Sequence, residues 1–166
     1  CCGNGSRGFR VAGDAATCVQ ERLVGPEITI ATYCMRAGTM NGWIAFEREL
    51  DRSGSTAWCR TVSDPDYLCQ QIGELVHGTM TRFDGLRGFC NIQAVWHNKG
   101  AMIPFEVNCR VSGTVAIRHT FGYTDVIWAI QEHLFGISPA LPVLRSGSAQ
   151  RRSQEICDTL QRARLE

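Results

Sequence analysis

Lysine is almost absent from this sequence: of 17 basic residues in 166, only Lys99 is a lysine and the rest are arginines. Sixteen acidic residues balance them to a net charge of +1, so the single-sign field that would mark a nucleic-acid surface is missing. No apolar run approaches the ~18 uncharged residues of a membrane span, and the opening residues do not read as a signal peptide. Nine cysteines are present, but no C-x-x-C pair and no Cys/His spacing of a zinc finger. Their number is thus the sole support for a Cys/His metal protein. Most lie in apolar runs, where cysteine acts as a small hydrophobe, and a reducing cytoplasm is the expected setting. Cys1 is the first residue and no Met precedes Met35, so the chain reads as cut from a longer one. What is present is ordinary for a soluble globular domain: 44% hydrophobic and 20% charged residues, in a length that suits one domain with a full core.

The chain opens on a glycine loop, Gly3-Asn4-Gly5-Ser6-Arg7-Gly8, able to converge backbone N–H groups, followed by a short strand at Phe9-Arg10-Val11. The β-branched run from Ile28 to Met35 predicts a strand, and Trp43 to Phe46 and Ala57 to Val62 predict two more, separated by the polar segment Glu47 to Thr56. Ser63-Asp64-Pro65 is a helix start, and Leu68, Ile72, Leu75, Val76 and Met80 then recur at helical spacing. Strands follow at Phe89 to Trp96 and Ala101 to Asn108. A second helix is predicted from about Thr124 to Phe135 with Gly136 as its stop, then a loop-like stretch, then weak helical character from Arg151 to Leu165.

The hairpin between the later strands has the most chemical content. Pairing Trp96 with Ala101 across His97-Asn98-Lys99-Gly100 sets Gln93 opposite Pro104, on one face with Glu106 and Asn108. Ile92, Ala94, Phe105 and Val107 then share the other face, which suits a core. One carboxylate and two amides form a hard oxygen-donor set able to hold Mg²⁺ while leaving positions for phosphate oxygens. Arg110, one step further in the alternation, adds a guanidinium. Each motif alone is an ordinary turn or strand face; their joint order is the informative feature.

The glycine loop, then Gln20-Glu21-Arg22-Leu23-Val24-Gly25-Pro26-Glu27, then Asn91-Ile92-Gln93, then Phe105-Glu106-Val107-Asn108-Cys109-Arg110-Val111-Ser112-Gly113-Thr114, resemble the ATP-grasp superfamily. The carbamoyl-phosphate-synthase-like branch of carboxylate–amine ligases is the closest in flavour. Gly147 to Glu155, with Arg152 and Glu155, is similar to the ending of many such domains. The resemblance implies that Gly5, Ser6, Arg7 and Gly8 cover the ATP phosphates, and that Gln20, Glu21 and Leu23 form a hinge meeting the adenine edge. It further implies that Glu27 hydrogen-bonds the ribose, that Gln93, Glu106 and Asn108 hold Mg²⁺ (with Mn²⁺ as a substitute), and that Arg110 and Arg118 contact the acyl phosphate and the substrate carboxylate. Gly54-Ser55-Thr56 resembles a small-residue segment that approaches the nucleotide in some relatives, although a plain turn is the simpler reading. His77 and His133 sit on predicted helices as packing or surface residues.

The implied chemistry is ATP-driven activation of a small carboxylate to an acyl phosphate, attacked by an amine or another nucleophile. No nucleic-acid or membrane partner is expected, and a homo-oligomer is compatible with the sequence. Three departures stand out. Cys109 replaces the proline many relatives carry between Asn and Arg, only Phe9 to Val19 joins the glycine loop to the hinge, and the Lys-Pro pair that usually precedes the loop is not in this chain. An inactive or nearly inactive piece of a ligase is therefore expected, with a non-catalytic nucleotide-binding or interaction module as the alternative. The expected architecture is α+β: residues 1–23 as a partial lid subdomain, and 24–166 as an ATP-grasp-like C-terminal subdomain, a mainly antiparallel sheet with both helices on one face.

Overall fold

The computed structural model describes residues 20–62, 67–83, 85–98 and 100–151. In chain order these form β1 (Glu27–Cys34), β2 (Met40–Leu50), β3 (Thr56–Thr61), α1 (Tyr67–Arg82), β4 (Gly88–His97), β5 (Ala101–Asn108), α2 (Val115–Thr120), α3 (Asp125–Phe135) and β6 (Ser148–Gln150). The six strands make one sheet in the order β5-β4-β1-β2-β3-β6, with every neighbouring pair antiparallel. The α+β class and the antiparallel sheet are as the sequence predicts. The glycine loop with Gly5, Ser6, Arg7 and Gly8, the helix start at Ser63-Asp64-Pro65, and Arg152 and Glu155 lie outside the described residues. No described helix is long and apolar enough to cross a membrane.

The two-residue period of β1 explains how the layers stack. Ile28 and Ile30 point to one side, where with Ala45, Cys90 and Ile92 they pack on Ile72 and Val76 of α1. Ala31 and Tyr33 point to the other, where with Ile44, Phe46 and Cys59 they meet Tyr123 and Trp128. Both faces of this central strand are apolar and need cover, so α1 and α3 lie on opposite faces, not together as expected. Glu132 fastens α3 to the sheet: the Tyr33 hydroxyl donates to its Oε2 at 2.9 Å and the Arg36 amide to its Oε1 at 2.8 Å. Burial, then this carboxylate, push the Tyr33 phenol above its ordinary range. Gly136 ends α3 in the left-handed region, φ 64°, where glycine carries no steric penalty.

The hairpin of β4 and β5 differs from its expected register in two ways that cancel. His97 pairs with Ala101, so the connection is one residue shorter than predicted, which alone would turn Glu106 and Asn108 onto the α1 side. A bulge at Phe105 inserts the missing step: Ala94 lies opposite Pro104, then Gln93 opposite Glu106 and Asn91 opposite Asn108. Gln93, Glu106 and Asn108 consequently do share a face, although Pro104 does not share it. The other expectation for this hairpin fails in part. Ile92 and Ala94 are buried, but Phe105 is 49% and Val107 36% exposed, because β5 is an edge strand that α1 only partly covers. At the same end, Gly25 lies so close to β4 that a Cβ would sit 1.9 Å from the Trp96 carbonyl oxygen, which fixes glycine there.

Candidate functional site

The α3 side of the sheet is covered by α3 only over part of its area. Beyond that cover, a polar hollow of about 150 Å³ opens over β1, β2 and β4, walled by the turn before β3 and the segment after β5. Thr29, Asn91 and Gln93 form its floor, Gly54 to Thr56 one wall, and Ser112 to Thr114 another. Arg48, Arg110 and Arg151 also line it, and among the described residues no carboxylate does. Three guanidiniums and a ring of hydroxyls and amides in a concave site suit an anion with several oxygens. A larger hollow of about 400 Å³ lies on the outer surface of α1, between Glu74, Leu75, Thr79 and Phe83, and includes none of the expected site residues.

Arg48 organises the floor, and sequence reasoning missed it by leaving it in the polar segment after the second strand. In fact β2 runs to Leu50, so Arg48 follows Ile44 and Phe46 on the same inward face. Its Nε donates to Glu27 Oε1 at 2.9 Å, its Nη2 to that same oxygen and to Gln93 Oε1 at 2.9 Å, and its Nη1 to Thr56 Oγ1 at 3.5 Å. The pair is largely shielded, with side-chain exposures of 10% for Arg48 and 22% for Glu27. Two residues assigned by resemblance to different ligand groups, Glu27 and Gln93, are thereby joined by one guanidinium. An arginine on an otherwise apolar strand face was the available signal.

Glu106 lies at the rim, directly across from Gln93. Asn108 Nδ2 donates to Glu106 Oε1, which leaves Asn108 Oδ1 and Glu106 Oε2 open as oxygen donors. These two residues fit a hard divalent cation; Gln93 fits it less directly, since its carbonyl oxygen is already engaged by Arg48. Among the described residues, no group of three or more His, Cys, Asp or Glu side chains could hold a metal ion. Arg110 is exposed, with Nη1 donating to the Val111 carbonyl at 3.2 Å. Gln20 and Glu21 are exposed and Leu23 half-buried in the irregular segment ahead of β1, a stretch whose Val24 and Pro26 carbonyls accept from β4 and its turn.

Arg118 departs from its expected substrate-facing position. It is 1% exposed, its Nε and Nη2 grip both oxygens of Asp125 at 3.0 and 2.6 Å, and its Nη1 donates to Ser112 Oγ at 2.7 Å. The reason is α2, a six-residue helix that turns Arg118 inward beneath the Ser112–Thr114 wall. It acts on the hollow through Ser112, whose hydroxyl also lies 3.0 Å from that of Thr114. Gly54-Ser55-Thr56 serves both readings. It belongs to a turn closed by Asp51, which accepts from the Ser53 and Ser55 amides at 2.8 and 3.0 Å, and it lines the hollow. His77, His119 and His133 are exposed.

No protein-family model and no curated protein matches the chain. Solved structures do. The phosphoribosylaminoimidazole carboxylase ATPase subunit of Aquifex aeolicus superposes with a TM-score of 0.57 at 13% identity, over 80% of this chain and 41% of its own. The ADP complex of N5-carboxyaminoimidazole synthetase from Staphylococcus aureus gives 0.61 at 12%, over 75% and 34%. An ATP-grasp superfamily protein of Archaeoglobus fulgidus gives 0.58 at 15%, over 82% and 42%. The chain spans about two fifths or less of the length of these structures, and over that portion its fold is the ATP-grasp fold.

Proposed function

We propose that this chain is the nucleotide-phosphate and metal-binding part of an ATP-dependent ligase that activates a carboxylate as an acyl phosphate for attack by an amine or another nucleophile. The observation that carries the reading is the polar hollow on the open face, where Gln93 and Arg110 meet Arg48 with Glu106 and Asn108 at the rim. In this reading Arg110 and Arg151 neutralise phosphate oxygens, the Ser112 to Thr114 segment hydrogen-bonds them, and Glu27, held by Arg48, offers its open oxygen to the ribose. Glu106 and Asn108 would hold the Mg²⁺, which when bound would supply neutralisation of phosphate charge. Phosphoryl transfer asks mainly for positioning and electrostatics, so no side-chain nucleophile is needed. Arg118 keeps the Ser112 wall in place.

The test is ADP release by the full-length protein in the presence of Mg²⁺, ATP and a panel of carboxylates and amines. Carboxylate-dependent release that is lost in Glu106→Ala supports the ligase; unchanged release in that variant contradicts it. A second reading, a non-catalytic nucleotide binder, is favoured by one feature: the described wall of the hollow carries three guanidiniums, Arg48, Arg110 and Arg151, which suits anion binding without metal chemistry. That reading predicts ATP binding with no ADP release under any substrate.

A further inference from the structure

Cys109 follows Asn108 at the end of β5, and Cys90 precedes Asn91 in β4. Asn91 and Asn108 are cross-strand partners, so continuing the antiparallel register by one residue sets Cys90 opposite Cys109. Directly opposed residues in such a pair have Cα atoms about 4.5–5.5 Å apart, within the range a disulfide spans. Both thiols are free, Cys109 exposed and Cys90 buried. They face each other closely enough to interact electrostatically: burial first, then Cys109, push the Cys90 thiol up to about 12.

We infer that Cys90 and Cys109 form an oxidisable cross-strand dithiol, a modification site for hydrogen peroxide whose disulfide pins the segment bearing Asn108 and Arg110 to β4. The exposed member reacts first. Cys109 sulfur attacks the peroxide O–O bond, takes one oxygen as sulfenic acid and releases water, so that the sulfur is oxidised by two electrons and the peroxide reduced by two. Cys90 sulfur then displaces the hydroxyl from the Cys109 sulfur. The S–S bond forms, the S–O bond breaks, and the Cys90 proton leaves with the hydroxide as a second water. Cys90 is too deeply buried to meet peroxide itself, which gives the two thiols separate parts. That the tether alters ligand binding rests on the reading of Asn108 and Arg110 as ligand contacts; the cross-link itself does not.

The experiment is peroxide treatment of the reduced protein, blocking of remaining thiols with N-ethylmaleimide, tryptic digestion and mass spectrometry. Cleavage after Arg87, Lys99 and Arg110 puts the two cysteines on separate peptides, 88–99 and 100–110. The expected result is that these two, disulfide-linked, become the dominant oxidised species. Cys90→Ser loses the link and leaves a dimedone-reactive sulfenic acid at Cys109, whereas Cys109→Ser leaves Cys90 blocked only after unfolding. A Cys109 that pairs with another cysteine, or that accumulates as sulfinic acid with Cys90 reduced, overturns the inference. ATP affinity is measured on the same samples. A linked peptide in a protein that binds no nucleotide even when reduced leaves the dithiol standing and refutes the ligase reading, while nucleotide binding without any linked peptide does the reverse.

Discussion

Removing the Arg118 guanidinium would strand the Asp125 carboxylate in the interior, since each side chain is at most 2% exposed and each is the other's principal partner. Arg118→Ala or Asp125→Ala is expected to destabilise by about 3–5 kcal/mol, the usual cost of breaking a buried pair on one side, read as a lowered urea midpoint. Arg110→Ala belongs to the opposite case. Its side chain is exposed, so stability should stay within about 0.5 kcal/mol of the parent, while Mg-ATP affinity measured by calorimetry falls about tenfold, as expected for one lost charge-assisted contact. The sequence treats these two arginines alike because neither periodicity nor resemblance reports burial; the six-residue α2 that turns Arg118 inward is too short to leave a readable pattern. Arg48 was hidden for a related reason. Charged residues at Glu47, Arg48 and Glu49 look like a loop, and only the full run of β2 reveals that Arg48 points to the floor of the site.

At the scale of elements, the bulge in β5 makes the most specific prediction. Deleting Phe105 removes the extra residue and leaves unbroken pairing with Pro104 opposite Ala94 and Glu106 opposite Gln93, so Glu106 and Asn108 keep the α3 side. Mg-dependent nucleotide binding should therefore persist, with circular dichroism retaining the sheet; a deletion variant that keeps the sheet but loses metal-dependent binding contradicts the assigned face. The turn before β3 responds to pH. Its Asp51 carboxylate is held below its ordinary value, first by the Ser53 hydroxyl and then by the Ser55 amide. A depressed folded pKa means that these bonds contribute fully above the ordinary carboxylate range and are lost as pH falls through the lowered value. The Ser53 and Ser55 amide resonances should therefore shift together in that acid range, and Asp51→Asn should abolish the shift. The strands and α1 and α3 were legible because their apolar periods are long and regular. The three residues of β6 and the bulge were not, being set by contacts with β3 and β4 that no local pattern encodes.

Among the described residues the sheet is covered on one face by α1 and on the other only partly by α3, and the polar hollow lies in the remainder of that face. The sequence shows the sheet and the shared face of Gln93, Glu106 and Asn108 but suggests both helices on one side, since amphipathicity says that a helix packs and not on which face. The double-sided burial of β1 is what decides it. The account's central claim is that nucleotide and metal sit on the α3 face, with the metal at Glu106 and Asn108. Titrating the isotopically labelled protein with Mn²⁺ and ATP and following amide broadening by NMR tests this most directly. The account predicts that the amides of Gln93, Glu106, Asn108 and Ser112 to Thr114 broaden first, while those of Ile72 and Val76 in α1, across the sheet, remain sharp. Broadening centred on the α1 face, or unchanged in Glu106→Ala, would contradict it.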